Sequence, residues 1–194
     1  NLETFGKILS FALLGSPSRA AGRLGEPDSM KKTILAGLAL AVLAVPALAA
    51  LTSGLKPGGQ ITPFHPKHIS GPLAGTDKCF PCTYQQRPQV QVWVNGDDMK
   101  NVALIAKNLD DQMAAHKGKE FKAMVVLLAD GNEAQLTEKS KKIVEKHGLK
   151  HVAIAVLPKS HEAVKAYEIN TSGDIKNTVL AYKAWKVHAN MVNL

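Results

Sequence analysis

The sequence predicts an α/β domain in three layers, a central mixed sheet flanked by helices. Three observations predict it. Two short, nearly continuous apolar runs, 121–129 and 151–157, have the composition of strands buried on both faces. Segments of helical spacing lie between the strand-like segments, and that alternation makes the strands parallel. Two further strand-like segments, 178–183 and 187–192, then follow each other closely, as the arms of an antiparallel hairpin do.

The elements follow in order. Residues 90–94 alternate Val, Gln, Val, Trp, Val and read as a strand. Asn95-Gly96 is a turn, and Asp97 or Asp98 can cap a helix by accepting free N–H groups of its first turn. Val102, Ile105, Leu109 and Met113 recur at helical spacing and carry that helix to about His116. After the 121–129 strand comes the turn Asp130-Gly131-Asn132. A second helix is marked by Leu136, Ile143, Val144 and His147 and stopped by Gly148. The 151–157 strand leads to a short helix over 160–167 with Ser160 as its expected cap. The closing strands meet near Ala184-Trp185. Between Pro63 and Gly75, prolines and glycines leave room for a small hairpin and no long element.

The chain opens on Asn1, and Met30-Lys31-Lys32 precedes an apolar run over 33–45 and then Pro46-Ala47-Leu48-Ala49. That is the three-part pattern of an export signal, with Met30 read as the start and cleavage after Ala49. The apolar run is shorter than the roughly 20 residues of a membrane span. The residue directly after the cleavage site is Ala50 and not cysteine, which argues against a lipid anchor. The organisation expected is upstream sequence over 1–29, a signal peptide over 30–49, a flexible linker over 50–62 and one domain over 63–194. The location expected is the periplasm or the secreted fraction.

Residues 50–194 carry 19 Lys and Arg against 13 Asp and Glu, a net charge of +6. The lysines are scattered and Arg87 is the sole arginine there, so a nucleic-acid surface with its arginine and aromatic clusters is not expected. No nucleophile elbow, phosphate loop or zinc-protease helix occurs, and no bound cofactor is implied.

The element order resembles the thioredoxin fold, and more closely its redoxin or peroxiredoxin-like branch. Pro63-Phe64 with Ile69-Ser70-Gly71 is similar to that branch's opening hairpin. The run from Arg87 to Val94 is similar to the strand before its active-site loop. Val152 to Leu157 with Ala166-Tyr167-Glu168-Ile169, then 178–182 and 186–189, are similar to its late strand, turn and hairpin. The resemblance covers about 61–194 and implies a thioredoxin-like three-layer fold, with the chain stopping before that fold's C-terminal helix. In this branch the reactive cysteine follows the strand, at a helix N-terminus, and faces a cis-proline. The matching positions here are Asn95-Gly96-Asp97-Asp98 and Asn177-Thr178, so neither residue is carried over.

The only two cysteines are instead Cys79 and Cys82, upstream of the strand, in Cys79-Phe80-Pro81-Cys82. Three readings stay open. As a catalytic redox pair, Cys79 beside Lys78 is the reactive thiol and Cys82 is turned inward as the resolving one, with protein thiols or disulfides as partners. The protein is then a thiol-disulfide oxidoreductase. As a structural disulfide, the pair pins an irregular loop of a non-catalytic binding or structural module. As a metal site, His65 and His68 add two nitrogens to the thiols Cys79 and Cys82, a set suited to zinc or copper.

Overall fold

The computed structural model describes residues 51–194. The upstream segment 1–29 and the signal-like segment 30–49 lie outside the described residues. The described chain builds one six-stranded sheet: β1 (Lys67–His68), β2 (Gln89–Val94), β3 (Lys122–Ala129), β4 (Ala153–Pro158), β5 (Asn177–Lys183) and β6 (Lys186–Val192). The spatial order is β1-β4-β3-β2-β5-β6. β2, β3 and β4 are parallel, while β1, β5 and β6 each run antiparallel to their neighbours, so the sheet is mixed as expected. Four helices accompany it: α1 (Phe80–Tyr84), α2 (Met99–Ala115), α3 (Glu133–His147) and α4 (Glu162–Ala166).

Side chains alternate along a strand, so each strand feeds two cores. Val90, Val92 and Val94 of β2, with Val125 and Leu127 of β3, face α2 and α3. Trp93 of β2, with Met124, Val126 and Leu128 of β3, faces the segment 55–84 and α4. On that second side Phe64, Trp93 and Tyr167 stack with ring centroids 4.8–5.3 Å apart. Such aromatic contacts add about 0.5–1.5 kcal/mol each beyond their buried area.

The connections obey simple chemistry. Asp98 caps α2 by accepting from the Lys100 N–H at 3.0 Å. Gly148, at φ 59°, ends α3 in the left-handed conformation that glycine adopts at little cost. Asp110 lies within the buried stripe of α2, and one of its oxygens accepts from the consecutive N–H groups of Lys150, His151 and Val152 at 2.6–3.0 Å. This carboxylate fastens the chain leading into β4 to the helix. α4 is capped by His161 rather than Ser160, its Nδ1 accepting from the Ala163 N–H at 3.1 Å.

Residues 51–62, expected as a flexible linker, belong to the fold from Ser53 onward. Ser53, Leu55 and Ile61 are buried. Gly54 N–H donates to Glu168 O at 2.8 Å, and Gly58 N–H and Gly59 O bond the backbone of Val187. Gly54 and Gly59 serve close packing. At Gly54, with φ 83°, an added Cβ would meet Thr178 Cγ2 at 2.7 Å.

Candidate functional site

Two places compete for the chemistry. The first is the C-terminal end of β2, where the turn Asn95–Asp98 leads into α2 opposite Asn177 of β5. Val94 and Asn177 are register partners. The Asn177 side chain donates to Asp97 Oδ2 at 2.7 Å, as does that of Asn101. Asn177 Oδ1 accepts from Leu194 N–H at 2.9 Å. Asn95 donates through its side chain to Ser172 O and Ile175 O, both at 2.9 Å. Asp97 and Asp98 thus divide the labour: Asp98 caps, and Asp97 bridges to the neighbouring strand. The cluster holds no nucleophile, and its polar groups are spent on holding loops together.

The second place is the pair Cys79 and Cys82, which are joined as a disulfide with a Cα separation of 5.3 Å. The stretch expected as irregular forms the five-residue helix α1. Cys79 is its N-cap, and the sulfur accepts from the Cys82 N–H at 3.2 Å. Pro81 fits because the first turn of a helix has no partner for its N–H. Thr83 closes the turn, its N–H and hydroxyl both donating to Cys79 O at 3.0 and 2.9 Å. Phe80 and Tyr84 anchor α1 in the second core. The exposure of the two cysteines reverses the expectation. Cys79 is buried, at 5% exposure, while Cys82 is half-buried and reaches the surface. Cys79 is followed by the buried Phe80 and Pro81, whereas Cys82 is followed by the exposed Thr83.

The histidines are brought to the same loop in a different role. His65 Nδ1 bonds Asp77 O at 3.0 Å and His68 Nε2 bonds Lys78 O at 2.8 Å. Both rings therefore hold the backbone that leads into Cys79. Among the described residues no group of three or more His, Cys, Asp or Glu is placed to share a metal ion. His68 is 1% exposed. Burial lowers its pKa below the ordinary 6.5, with the Lys78 carbonyl and the charge of Asp77 acting in the opposite direction.

A buried chain of polar groups runs beneath α1, and sequence reasoning missed it. Trp93 Nε1–H donates to Gln91 Oε1 at 3.1 Å, and Gln91 Nε2–H donates to the Tyr182 hydroxyl at 2.7 Å. That hydroxyl donates to Gln89 Oε1 at 2.8 Å, and Gln89 Nε2–H donates to Gln85 O at 3.2 Å. Gln85 is the C-cap of α1. Burial drives the Tyr182 hydroxyl pKa well above 10, with the neighbouring Tyr167 adding to the rise and Gln91 opposing it. The only signal was the pair of glutamines inside an otherwise apolar strand.

The sheet order, the helix after β2 and the closing hairpin define a thioredoxin-like fold. Solved structures share it at low identity. One is an uncharacterized conserved protein from Geobacillus kaustophilus, with TM-score 0.54, 15% identity and coverage of 70% of this chain and 68% of that one. The thioredoxin domain of a thiol-disulfide oxidoreductase from Bacteroides vulgatus gives TM-score 0.53 and 15% identity, covering 72% and 91%. A yeast mitochondrial 1-Cys peroxiredoxin gives 0.52 and 10%, covering 72% and 68%. No family model and no curated protein matches the chain.

Proposed function

We propose that this protein is an exported thiol-disulfide oxidoreductase that works through Cys79 and Cys82 on protein thiols in the periplasm or outside the cell. The observation that carries the proposal is the N-cap position of Cys79, whose sulfur accepts a backbone N–H from Cys82 at 3.2 Å. A hydrogen bond to the charged form of a group favours that form, so Cys79 is suited to leave as a thiolate. A bridge across three residues also closes a very small loop, and in the loop-entropy account such a bridge stabilises a fold little.

The exposure of the sulfurs sets the order of events. A substrate thiolate attacks the half-buried Cys82 Sγ, and the Cys79–Cys82 bond breaks with its electron pair going to Cys79. A second substrate thiolate then attacks the substrate sulfur of the mixed disulfide and releases Cys82. The substrate leaves as a disulfide, and the pair is reduced to two thiols that take up the two substrate protons. In the reverse direction Cys82 attacks a substrate disulfide and Cys79 resolves the intermediate.

A second reading has one observation in its favour. Cys79 is buried, which suits a staple in a non-catalytic binding module. The reduction potential of the pair decides between them. Known oxidoreductases lie at about −120 to −270 mV, whereas structural bridges lie below about −300 mV. A potential in the lower range overturns the proposal.

A further inference from the structure

The face of the sheet opposite α1 carries a feature that thiol exchange does not use. α2 and α3 both pack on the first core. A groove opens between them, lined by Met99, Ala103, Leu104 and Ile143. Its volume of about 540 Å³ lies within the range of clefts that take ligands. Ala103 and Ile143 are buried and form the floor, while Leu104 stands beside them at 61% exposure. A single leucine facing water is ordinary on a folded surface. A leucine beside a sunken apolar floor is a place for another apolar side chain to enter.

The charges round that floor are nearly all of one sign. Lys100 of α2 and Lys142 and Lys146 of α3 line the groove. None of the three makes an ion pair among the described residues, whereas two other lysines of the same helices do, Lys107 with Asp111 and Lys141 with Glu138. Glu138 feels the charge of Lys142 but is bonded by Lys141. The one carboxylate at the groove, Asp98, is spent on capping α2. An apolar floor inside a cationic rim is complementary to apolar side chains flanked by carboxylates. The same geometry disfavours two other occupants. A bilayer takes apolar side chains that protrude, and this floor is sunken. A second copy meeting this face with its own would set lysines against lysines, in a chain whose residues 50–194 already carry a net charge of +6.

We propose that the groove between α2 and α3 is a docking site for an acidic amphipathic helix of a partner protein. The helix lays its apolar side chains beside Leu104, and its carboxylates reach Lys100, Lys142 and Lys146. This site is independent of the disulfide, whose helix α1 is anchored in the opposite core by Phe80 and Tyr84.

The test uses the full chain and a fluorescein-labelled synthetic helix of glutamate and leucine, with the leucines on one face, read by fluorescence anisotropy. The expected result is saturable binding that weakens as salt is raised. It should also weaken about tenfold in Leu104→Ala, and by about as much in Lys100→Glu with Lys142→Glu. All three positions are exposed, so the melting temperature should hold in both variants. Lys183→Glu with Lys186→Glu changes the net charge equally at the exposed end of the closing hairpin and should bind as the parent does. Equal weakening in that control reduces the effect to general charge attraction and overturns the proposal. So does binding that both groove variants leave unchanged, or equal binding of a lysine-leucine helix of the same pattern. Absence of peptide binding, with phosphatidylglycerol vesicles bound instead and released by Leu104→Ala, overturns it in favour of a membrane surface.

Discussion

The end of β2 and the loop before it carry out opposite uses of polar groups. At Asn95–Asp98 the amides and carboxylates bond one another and fasten three segments of backbone. At Cys79–Cys82 the histidine rings, Thr83 and the glutamine chain fasten only backbone carbonyls around the disulfide. The end of β2 is here a clasp, and the disulfide lies in the segment that precedes the same strand. A fold supplies rigid places for a site, and it does not dictate which place is used.

The comparison can be broken most sharply at the sulfurs. Cys79→Ser and Cys82→Ser should each abolish exchange, while Asp97→Ala with Asp98→Ala should leave it running. The two cysteine variants should also differ. Cys79→Ser leaves the surface-reaching Cys82 free and should trap a mixed disulfide with glutathione, whereas Cys82→Ser should trap little, as mass spectrometry reads directly. Exchange lost in the aspartate variant with an unchanged melting temperature would move the site to the end of β2.

The supports beneath each place come next in size. Tyr182→Phe removes the hydroxyl that links Gln91 to Gln89. It leaves a buried amide donor and a buried amide acceptor unpaired, at about 1–3 kcal/mol each, measured by denaturant unfolding. Because that chain ends on the C-cap of α1, exchange should slow as well. Asn177→Ala cuts the clasp at Asp97 and Leu194 and should cost about 1–3 kcal/mol. Its exchange rate should not change. Equal effects of the two variants on exchange would erase the distinction drawn between the regions.

The smallest effects are those of pH. His68 is held neutral by burial, with its folded pKa below 6.5. The unfolded chain therefore binds a proton first as pH falls. The stability contributed by this site is complete above about pH 6.5 and is lost as pH drops through that value toward the folded pKa. In His68→Phe the acid limb of the stability curve should be shallower. Tyr182 has the opposite form, a folded pKa raised above 10. Its contribution is present below about pH 10 and declines as the unfolded chain ionises above it. Tyr182→Phe should flatten that alkaline limb.

The elements with strong periodicity were legible in the sequence. The 121–129 run is β3, the Val102–Met113 stripe is the buried face of α2, and Gly148 ends α3 where its left-handed backbone requires. What could not be read depends on layers that only the folded chain assembles. The Val-Gln-Val-Trp alternation marked a strand without showing what covers it; the segment 55–84 does, so Gln89 and Gln91 are buried and form a chain. α1 has five residues, too few for a helical period. The placing of His68 depends on the docking of β1 on β4, which joins residues far apart in sequence. The cysteines themselves were legible as a pair; their order of exposure was not.

One detail of the N-terminal segment bears on how the protein avoids its own copies. β6 is the last strand of the sheet, and an uncovered outermost strand invites pairing with another chain. Residues 53–60 prevent this here. Gly58 and Gly59 bond Val187, Gln60 bridges Lys186, and the Asn190 side chain donates to Ser53 O and Leu55 O. The guard is synthesised before the strand it guards. Until both are made that border of the sheet has no cover. A side chain at position 54 would press on Thr178, Leu180 and Asn190 and so loosen the cover from the strand it protects.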